Sequence, residues 1–382
     1  MNFRIDRARF FAIIGPYPLP LNGHMSTSQP SFRLNRVHIR GLRGLTRVNL
    51  PEDGMSWANG EVPNLVVVAG ANGSGKTTLL RCLTQAARCL VSTPAAIPSE
   101  VAGEEVLIDF DINDGNTTYP VRFLVGAAEF VDQHMTDMSY GYIRTGARPS
   151  VLGLKRLAEL RQTIRVPARL AASRTPGVVF VPADDRDLVV PTVKYRAPGQ
   201  LAQSASFVSQ WDRPGPGQWS GSTIELLFSA RWADLNAKEA GRPDDATNFE
   251  RYVRVFNDVT GSAKNLAWTT KGDLVVKLAD GGTHPVEDLS AGERQLLLLL
   301  AELRRLWRYG SLILIDEPEL HLHDQWQARL LVTLAKMQSE LGGQVILATQ
   351  SHSLFKMAGL GTRVILGRSG DFSPSDHNEG IL

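Results

Sequence analysis

The sequence has only two cysteines among its 382 residues, and this scarcity excludes several classes of protein. Two thiols can form neither the disulfide framework of a small secreted domain nor the cysteine set of a structural zinc site. Cys82 and Cys89 are seven residues apart, which places them on one face of a predicted helix and favours packing in a core. We therefore expect a protein of a reducing, cytoplasmic compartment.

Long apolar runs and a strong net charge are missing as well. No stretch of 18 or more apolar residues occurs, so we expect no membrane-spanning helix. Near the N-terminus, the short apolar run 10–14 follows arginines but is soon broken by prolines, which predicts a loose tail over residues 1–30 rather than a signal peptide. The formal net charge is +2, so a nucleic-acid surface would have to be a local patch.

The sequence does contain a complete phosphate loop. Residues 70–77 read Gly-Ala-Asn-Gly-Ser-Gly-Lys-Thr, between the apolar run 64–69 and the helical stretch 77–90. Glycine lets backbone N–H groups approach phosphate oxygens, the lysine reaches the β- and γ-phosphates, and the threonine hydroxyl can ligate Mg²⁺. The chain is therefore expected to bind a nucleoside triphosphate through Gly70, Ala71, Asn72, Gly73, Ser74, Gly75, Lys76, Thr77 and Thr78.

A second motif supplies acids for the same site. The apolar run 312–315 is followed by Asp316 and Glu317. Acids at the carboxyl end of a strand lie at the crevice where α/β sheets hold ligands. We expect Asp316 to complete the Mg²⁺ shell with Thr77, and Glu317 to orient or deprotonate the attacking water.

A third motif begins a long leucine-rich helix 26 residues before Asp316. Residues 289–295 read Leu-Ser-Ala-Gly-Glu-Arg-Gln. Ser290 is suited to be the N-cap, and Glu293 three residues later completes a capping box. Taken alone, the segment predicts only a well-capped helix.

Together, these motifs resemble the ABC-type ATPase family: phosphate loop, Leu-Ser-x-Gly-Glu signature and acid-acid strand, in this order. The run 316–323, Asp-Glu-Pro-Glu-Leu-His-Leu-His, is similar to the cytosolic branch that includes the RecF, SMC and OLD-type ATPases. The resemblance covers roughly residues 34–125 and 177–366. It implies a head-to-tail dimer with ATP and Mg²⁺ between the subunits, in which Ser290 and Gly292 contact the nucleotide of the other subunit and His323 lies at the seam.

The fold class implied is α/β, an ABC-ATPase head with a mixed or parallel phosphate-loop sheet, an antiparallel β subdomain and a helical signature lobe. Hairpin patterns at 36–50, 105–125 and 265–278, and alternating helices and strands over 291–349, agree with this class. We expect the core to be formed by 31–125 and 289–382. Residues 126–288 are expected to form a largely helical insert with a core strand near 177–182, and 196–222 to be an exposed loop.

The family's switch histidine is not found at its expected place. After the predicted strand 344–348 the chain reads Thr-Gln-Ser-His, so Gln350 stands at the switch position and His352 two residues later. Both side chains are candidates for sensing the γ-phosphate and for assisting catalysis. The sequence leaves the choice open.

A basic segment interrupts the otherwise balanced charge. Residues 144–174 hold eight basic side chains and one acid, a local net charge of +7. Arg161, Arg165 and Arg169 would follow one helical stripe, although Pro167 breaks a helix. Such a stripe is typical of a surface for DNA or RNA, and an acidic partner protein or a solvated helix face is the alternative.

Three functions compete at this stage. The first is a cytosolic ATP-driven switch or clamp acting with nucleic acid and a separate effector such as a nuclease, in phage defence or DNA maintenance. The second is the ATP-binding subunit of a membrane transporter, disfavoured by the run 316–323 and the basic insert. The third is a non-hydrolysing scaffold, against which Lys76, Asp316 and Glu317 argue. We expect the first.

Overall fold

The computed structural model describes residues 30–51, 62–145, 149–153, 160–161, 176–183, 208–210, 218–241, 248–261, 264–269, 272–359 and 362–367. The described strands are β1 (Ser31–Leu42), β2 (Leu45–Leu50), β3 (Leu65–Ala69), β4 (Glu105–Asn113), β5 (Thr118–Ala127), β6 (Ser139–Arg144), β7 (Ser150–Gly153), β8 (Val178–Val181), β9 (Val208–Gln210), β10 (Lys264–Trp268), β11 (Leu274–Leu278), β12 (Thr283–Pro285), β13 (Leu312–Asp316), β14 (Gln344–Thr349) and β15 (Arg363–Ile365).

The described α-helices lie mostly in the second half of the chain. They are α1 (Lys76–Val91), α2 (Ala128–His134), α3 (Gln218–Glu239), α4 (Asn248–Thr260), α5 (Ala291–Leu306), α6 (Asp324–Leu341) and α7 (His352–Met357). Over the described ranges, no helix is both long and apolar enough to cross a membrane.

The central sheet is parallel throughout, with the strand order β15-β3-β14-β13-β8-β9. The strands β3, β8 and β13 read as continuous apolar runs because both faces of the sheet are covered. Successive side chains of β13 enter two different cores. Leu312 and Leu314 face α1 and the antiparallel sheet, while Ile313 and Ile315 pack among residues of α4 to α7.

A second sheet lies over α1 and has the order β2-β1-β4-β5-β6-β7. Its pairs are antiparallel except for β5 and β6, which run parallel. A third, smaller antiparallel sheet joins β10, β11 and β12 beside the helices of the signature region. The predicted fold class, an α/β core with an antiparallel subdomain and a helical lobe, is confirmed.

Two expectations about secondary structure are wrong. The insert 126–288, expected to be largely helical, begins with the helix α2 but then contains the strands β6 and β7, which extend the antiparallel sheet beyond residue 125. Within 196–222, expected to be a loop, β9 forms and α3 begins at Gln218. The strand expected near 177–182 is present as β8, and the domain division itself stays a prediction.

The sheet order brings the carboxyl ends of three strands side by side. β14 lies between β3 and β13, and in its register Ala348 faces Asp316 while Thr349 faces Ala69. The phosphate loop starts at the residue after Ala69, and the switch segment starts at Thr349. The three predicted motifs therefore share one edge of the sheet, as expected for a ligand crevice.

Candidate nucleotide site

The phosphate loop has the backbone geometry that its glycines allow. Gly73 and Gly75 have φ angles of 79° and 92°, in the left-handed region that side chains disfavour. Gly70 is required for a different reason, because a Cβ there would come within 2.5 Å of the Leu366 carbonyl oxygen. The loop turns through a hydrogen bond from the Ser74 N–H to the Ala71 carbonyl, 3.1 Å long. Asn72 and Gly73 form its exposed tip.

Lys76 begins α1 and is only 5% exposed. Its Nζ donates hydrogen bonds to the carbonyl oxygens of Gly70 (2.8 Å) and Ala71 (3.1 Å), so the ammonium group lies within the curve of the loop. The first N–H groups of α1 have no intrahelical partner and, with the helix dipole, favour an anion at this end. Thr78 is half-buried in the first turn.

The two predicted Mg²⁺ ligands lie in direct contact. The Thr77 hydroxyl donates a 2.7 Å hydrogen bond to Asp316 Oδ2, across 239 residues of sequence. Adjacent ligands of an octahedral Mg²⁺ with bonds of 2.0–2.1 Å lie about 3 Å apart, so these two oxygens fit one metal ion. Asp316 is 1% exposed at the end of β13, which fixes its carboxylate.

Glu317 has an unusual backbone. Its φ is 45°, in the left-handed region, although it carries a full side chain. Its N–H donates a 2.7 Å hydrogen bond to the Ala348 carbonyl, which ties the turn after β13 to β14. A non-glycine residue in this region costs on the order of 1–3 kcal/mol and is commonly found at functional sites. Glu317 itself is half-buried.

The signature segment forms the capping box that the sequence predicts. Ser290 Oγ accepts the N–H of Glu293 (3.3 Å), and Glu293 Oε2 accepts the N–H of Ser290 (2.9 Å). Lys264 of β10 also pairs with the Glu293 carboxylate at 2.8 Å. Burial favours the neutral acid, but the hydrogen bonds from Lys264 and Ser290 outweigh it and lower the pKa of Glu293.

The signature segment also touches the segment that follows Glu317. A Cβ on Gly292 would lie 2.5 Å from the carbonyl oxygen of His321, so only glycine permits this contact. His321 itself has a φ of 60°. His323 is exposed at the start of α6, with its ring 4.4 Å from that of Trp326. Ser290, Gly292 and His323 thus lie in neighbouring segments, and the dimer seam assigned to them stays a prediction.

The two switch candidates differ in their surroundings. Gln350 is half-buried, and its N–H donates a 2.9 Å hydrogen bond to Glu319 Oε1. His352 is exposed as the first residue of α7, after the N-cap Ser351. Sequence reasoning missed Glu319. Its only visible signal was a third acid in the run 316–319, without any indication of what it contacts.

The predicted basic segment 144–174 lies largely outside the described residues. Two of its arginines are described, and both make structural contacts. Arg144 donates to the Ala102 carbonyl (2.6 Å), and Arg161 donates to the Leu90 carbonyl (2.6 Å) and the Thr93 hydroxyl (2.8 Å). The predicted stripe of Arg161, Arg165 and Arg169 therefore loses Arg161, whose guanidinium group anchors the chain to the end of α1.

Comparison with known proteins agrees with the motifs. A family model described as "AAA domain, putative AbiEii toxin, Type IV TA system" matches residues 210–356, which include the signature, the acid pair and the switch segment. A curated relative, the DNA double-strand break repair Rad50 ATPase of Saccharolobus solfataricus, is 31% identical over 99 residues. That alignment spans 25% of this chain and 11% of the relative.

Solved structures of SMC heads are also similar over most of the chain. The SMC head domain from Thermotoga maritima has a TM-score of 0.43 at 13% identity, covering 85% of this chain and 92% of that one. A Pyrococcus furiosus Smc head bound to the C-terminal domain of ScpA has a TM-score of 0.40 at 13% identity, covering 86% and 92%. With the motif set and the family match over residues 210–356, the predicted resemblance to ABC-type ATPases of the SMC and Rad50 kind is confirmed.

Proposed function

We propose that this chain binds and hydrolyses ATP as one half of a head-to-tail dimer, and that it acts as a slow switch or clamp. One observation carries the proposal: Lys76, Thr77, Asp316 and Glu317 lie at the carboxyl ends of the parallel strands β3 and β13, which flank β14, and the Thr77 hydroxyl is 2.7 Å from Asp316 Oδ2. This arrangement combines a phosphate ligand, two metal ligands and a base. A structural turn would not require all four.

Each group has a separate task in hydrolysis. Lys76 and the loop N–H groups bind the phosphates, while Thr77 and Asp316 would hold Mg²⁺, which offsets phosphate charge when bound. Glu317 orients a water molecule and accepts its proton as the water oxygen forms a bond to the γ-phosphorus. The bond to the bridging oxygen breaks, and ADP and phosphate are the products.

A substitution in the signature segment tests the proposed dimer. We expect Ser290→Arg to leave ATP binding by each subunit intact but to abolish ATP-dependent dimerisation, because an exposed serine is replaced by a long cation at the proposed seam. Sedimentation velocity in a Glu317→Gln background, with and without ATP, measures the effect. Glu239→Arg, which places an arginine at an exposed position on α3, is the control. A Ser290→Arg protein that still dimerises with ATP would contradict the proposed seam.

The glutamine at the switch position predicts slow turnover of ATP. Gln350 can donate a hydrogen bond through its amide but cannot become positively charged near neutral pH. We expect Gln350→His to hydrolyse ATP faster in single turnovers, with a gain that shrinks as pH rises through about 6.5, the ordinary pKa of histidine. His352→Ala should change little. A large loss in His352→Ala would instead assign the sensor role to His352.

We further propose that the ATPase works with nucleic acid and a separate effector, in DNA maintenance or phage defence. The support is indirect: the basic segment 144–174, a relative named for double-strand break repair, and a family model named for a toxin system. The Pyrococcus furiosus Smc head is described as bound to a domain of ScpA, and we propose a docked partner protein for this chain too.

Charge reversal tests the nucleic-acid surface. We expect Lys155→Glu, Arg156→Glu and Arg165→Glu together to weaken DNA or RNA binding, with a salt slope shallower by roughly 1 for each phosphate that is no longer neutralised. Arg161 is kept because it anchors α1. Basal ATPase activity should not change. The control reverses three exposed basic residues elsewhere, Lys238, Arg251 and Arg254. Unchanged nucleic-acid affinity with loss of a copurifying protein would favour a protein-docking surface.

A further inference from the structure

Glu319 is a buried acid that contacts the switch segment directly. It lies two residues after Glu317 and is 6% exposed. Its Oε1 accepts two hydrogen bonds, from the Thr349 hydroxyl at 2.5 Å and from the Gln350 N–H at 2.9 Å. Both donors belong to the segment that carries the switch position. The carboxylate therefore holds the backbone of Gln350 from the side of the Glu317 turn.

A second set of hydrogen bonds joins the same two segments. Ser351 Oγ donates to Gln327 Oε1 of α6 at 2.5 Å, and Gln327 Nε2 donates to the Leu322 carbonyl at 2.8 Å. The Ser351 N–H also donates to Thr349 Oγ1 at 2.9 Å. Thr349 and Gln327 are buried. Residues 319–327 and 349–351 are thus tied at two points and should move together.

Glu319 forms no ion pair with any of the described residues. No salt bridge to it occurs there, and its Oε2 is buried without a hydrogen-bond partner in the same ranges. Burying a carboxylate is costly, so a residue serving only to fill space would be better apolar. What the side chain does provide is a rigid acceptor for two donors of the switch segment.

The signature helix also contacts the segment 319–327. Gly292 packs against the His321 carbonyl, one residue before Leu322. Contacts therefore run from the signature, through 321–322 and Gln327, to Ser351, while Glu319 connects the same segment to Gln350. A continuous set of packing contacts and hydrogen bonds therefore joins the proposed seam to the proposed catalytic position. A displacement at one of these places can be transmitted to the other.

We propose that Glu319 is a positioning residue that acts as a hydrogen-bond acceptor, sets the position of Gln350, and links ATP hydrolysis to contacts made at residues 321–323. This inference rests on the proposed function, because it assigns a role within the same ATPase site. In this role Glu319 acts through Gln350.

The test compares two variants of nearly equal size. Glu319→Leu removes the acceptor, and we expect kcat to fall about 10- to 100-fold with the ATP Kd unchanged, because displacement of a catalytic group by about 1 Å can cost that much. Glu319→Gln keeps a carbonyl oxygen for Thr349 and Gln350 and should recover most of the rate. Thr349→Val, which removes one of the two donors, should lie between them.

The measured rates distinguish a failure of this inference from a failure of the proposed function. If the wild-type chain does not hydrolyse ATP, the proposed function fails. If it does, but Glu319→Leu turns over at the wild-type rate, only the positioning role is overturned. A Glu319→Gln variant as slow as Glu319→Leu would also overturn it, because the acceptor alone would then be insufficient. Thermal unfolding of each variant identifies loss of fold, in which case Thr349→Val decides: an unchanged kcat overturns the role.

Discussion

Glu317→Gln is expected to bind ATP as tightly as the wild type and to hydrolyse it about 10²- to 10⁴-fold more slowly, the usual contribution of a general base. The amide keeps the size of the side chain and can still hydrogen-bond a water molecule, but it cannot accept the proton. Thr77 and Asp316 are untouched, so the two proposed metal ligands stay in contact. Single-turnover hydrolysis and equilibrium ATP binding measure the two properties separately.

The backbone of Glu317 makes this a sharp test. Glutamine should adopt the same backbone conformation, with a φ of 45°, at a similar cost. Glu340→Gln, on the exposed side of α6, is the matched control and should leave hydrolysis unchanged. A Glu317→Gln protein with the wild-type rate would show that another group activates the water. The ATP-bound dimer should also persist in this variant.

The parts of the site that local chemistry dictates could be predicted from the sequence. The phosphate loop needs glycine at 73 and 75 because the backbone takes positive φ there, and the capping box needs Ser290 and Glu293 three residues apart. Asp316 follows an apolar strand, so its place at the end of a parallel sheet also follows from the pattern. Each of these inferences depends only on residues that are close together in the sequence.

The parts that depend on distant contacts could not be predicted. β6 joins β5 in parallel through the short helix α2, and Gly141 within it would clash with the Leu124 carbonyl if it carried a Cβ. Such a strand forms because of its pairing with the neighbouring strand, and its own sequence does not show the alternation of apolar and polar residues that would predict it. The hydrogen bond from Thr349 to Glu319 likewise joins residues 30 apart. The anchoring role of Arg161 was not predictable for the same reason, since its partners on and after α1 are about 70 residues away.

Lys76→Ala is expected to abolish tight ATP binding. A hydrogen bond to a charged group contributes about 1.5–3 kcal/mol, and Lys76 would supply a full positive charge to two phosphates, so affinity should fall at least about 100-fold. The ammonium already lies inside the loop, bonded to the carbonyls of Gly70 and Ala71. Binding of a triphosphate would exchange those carbonyl acceptors for phosphate oxygens.

Two controls distinguish lost binding from lost structure. Alanine at 76 removes the donor to two carbonyls of the loop, so the free energy of unfolding should be measured beside the ATP Kd. Lys336→Ala removes an exposed lysine paired with Asp258 on the helical side and should leave ATP binding unchanged. If folded Lys76→Ala bound ATP with the wild-type Kd, the loop would not be the triphosphate site. The roles proposed for Thr77, Asp316 and Glu317 would then fail with it, because all three are defined by the same bound phosphates.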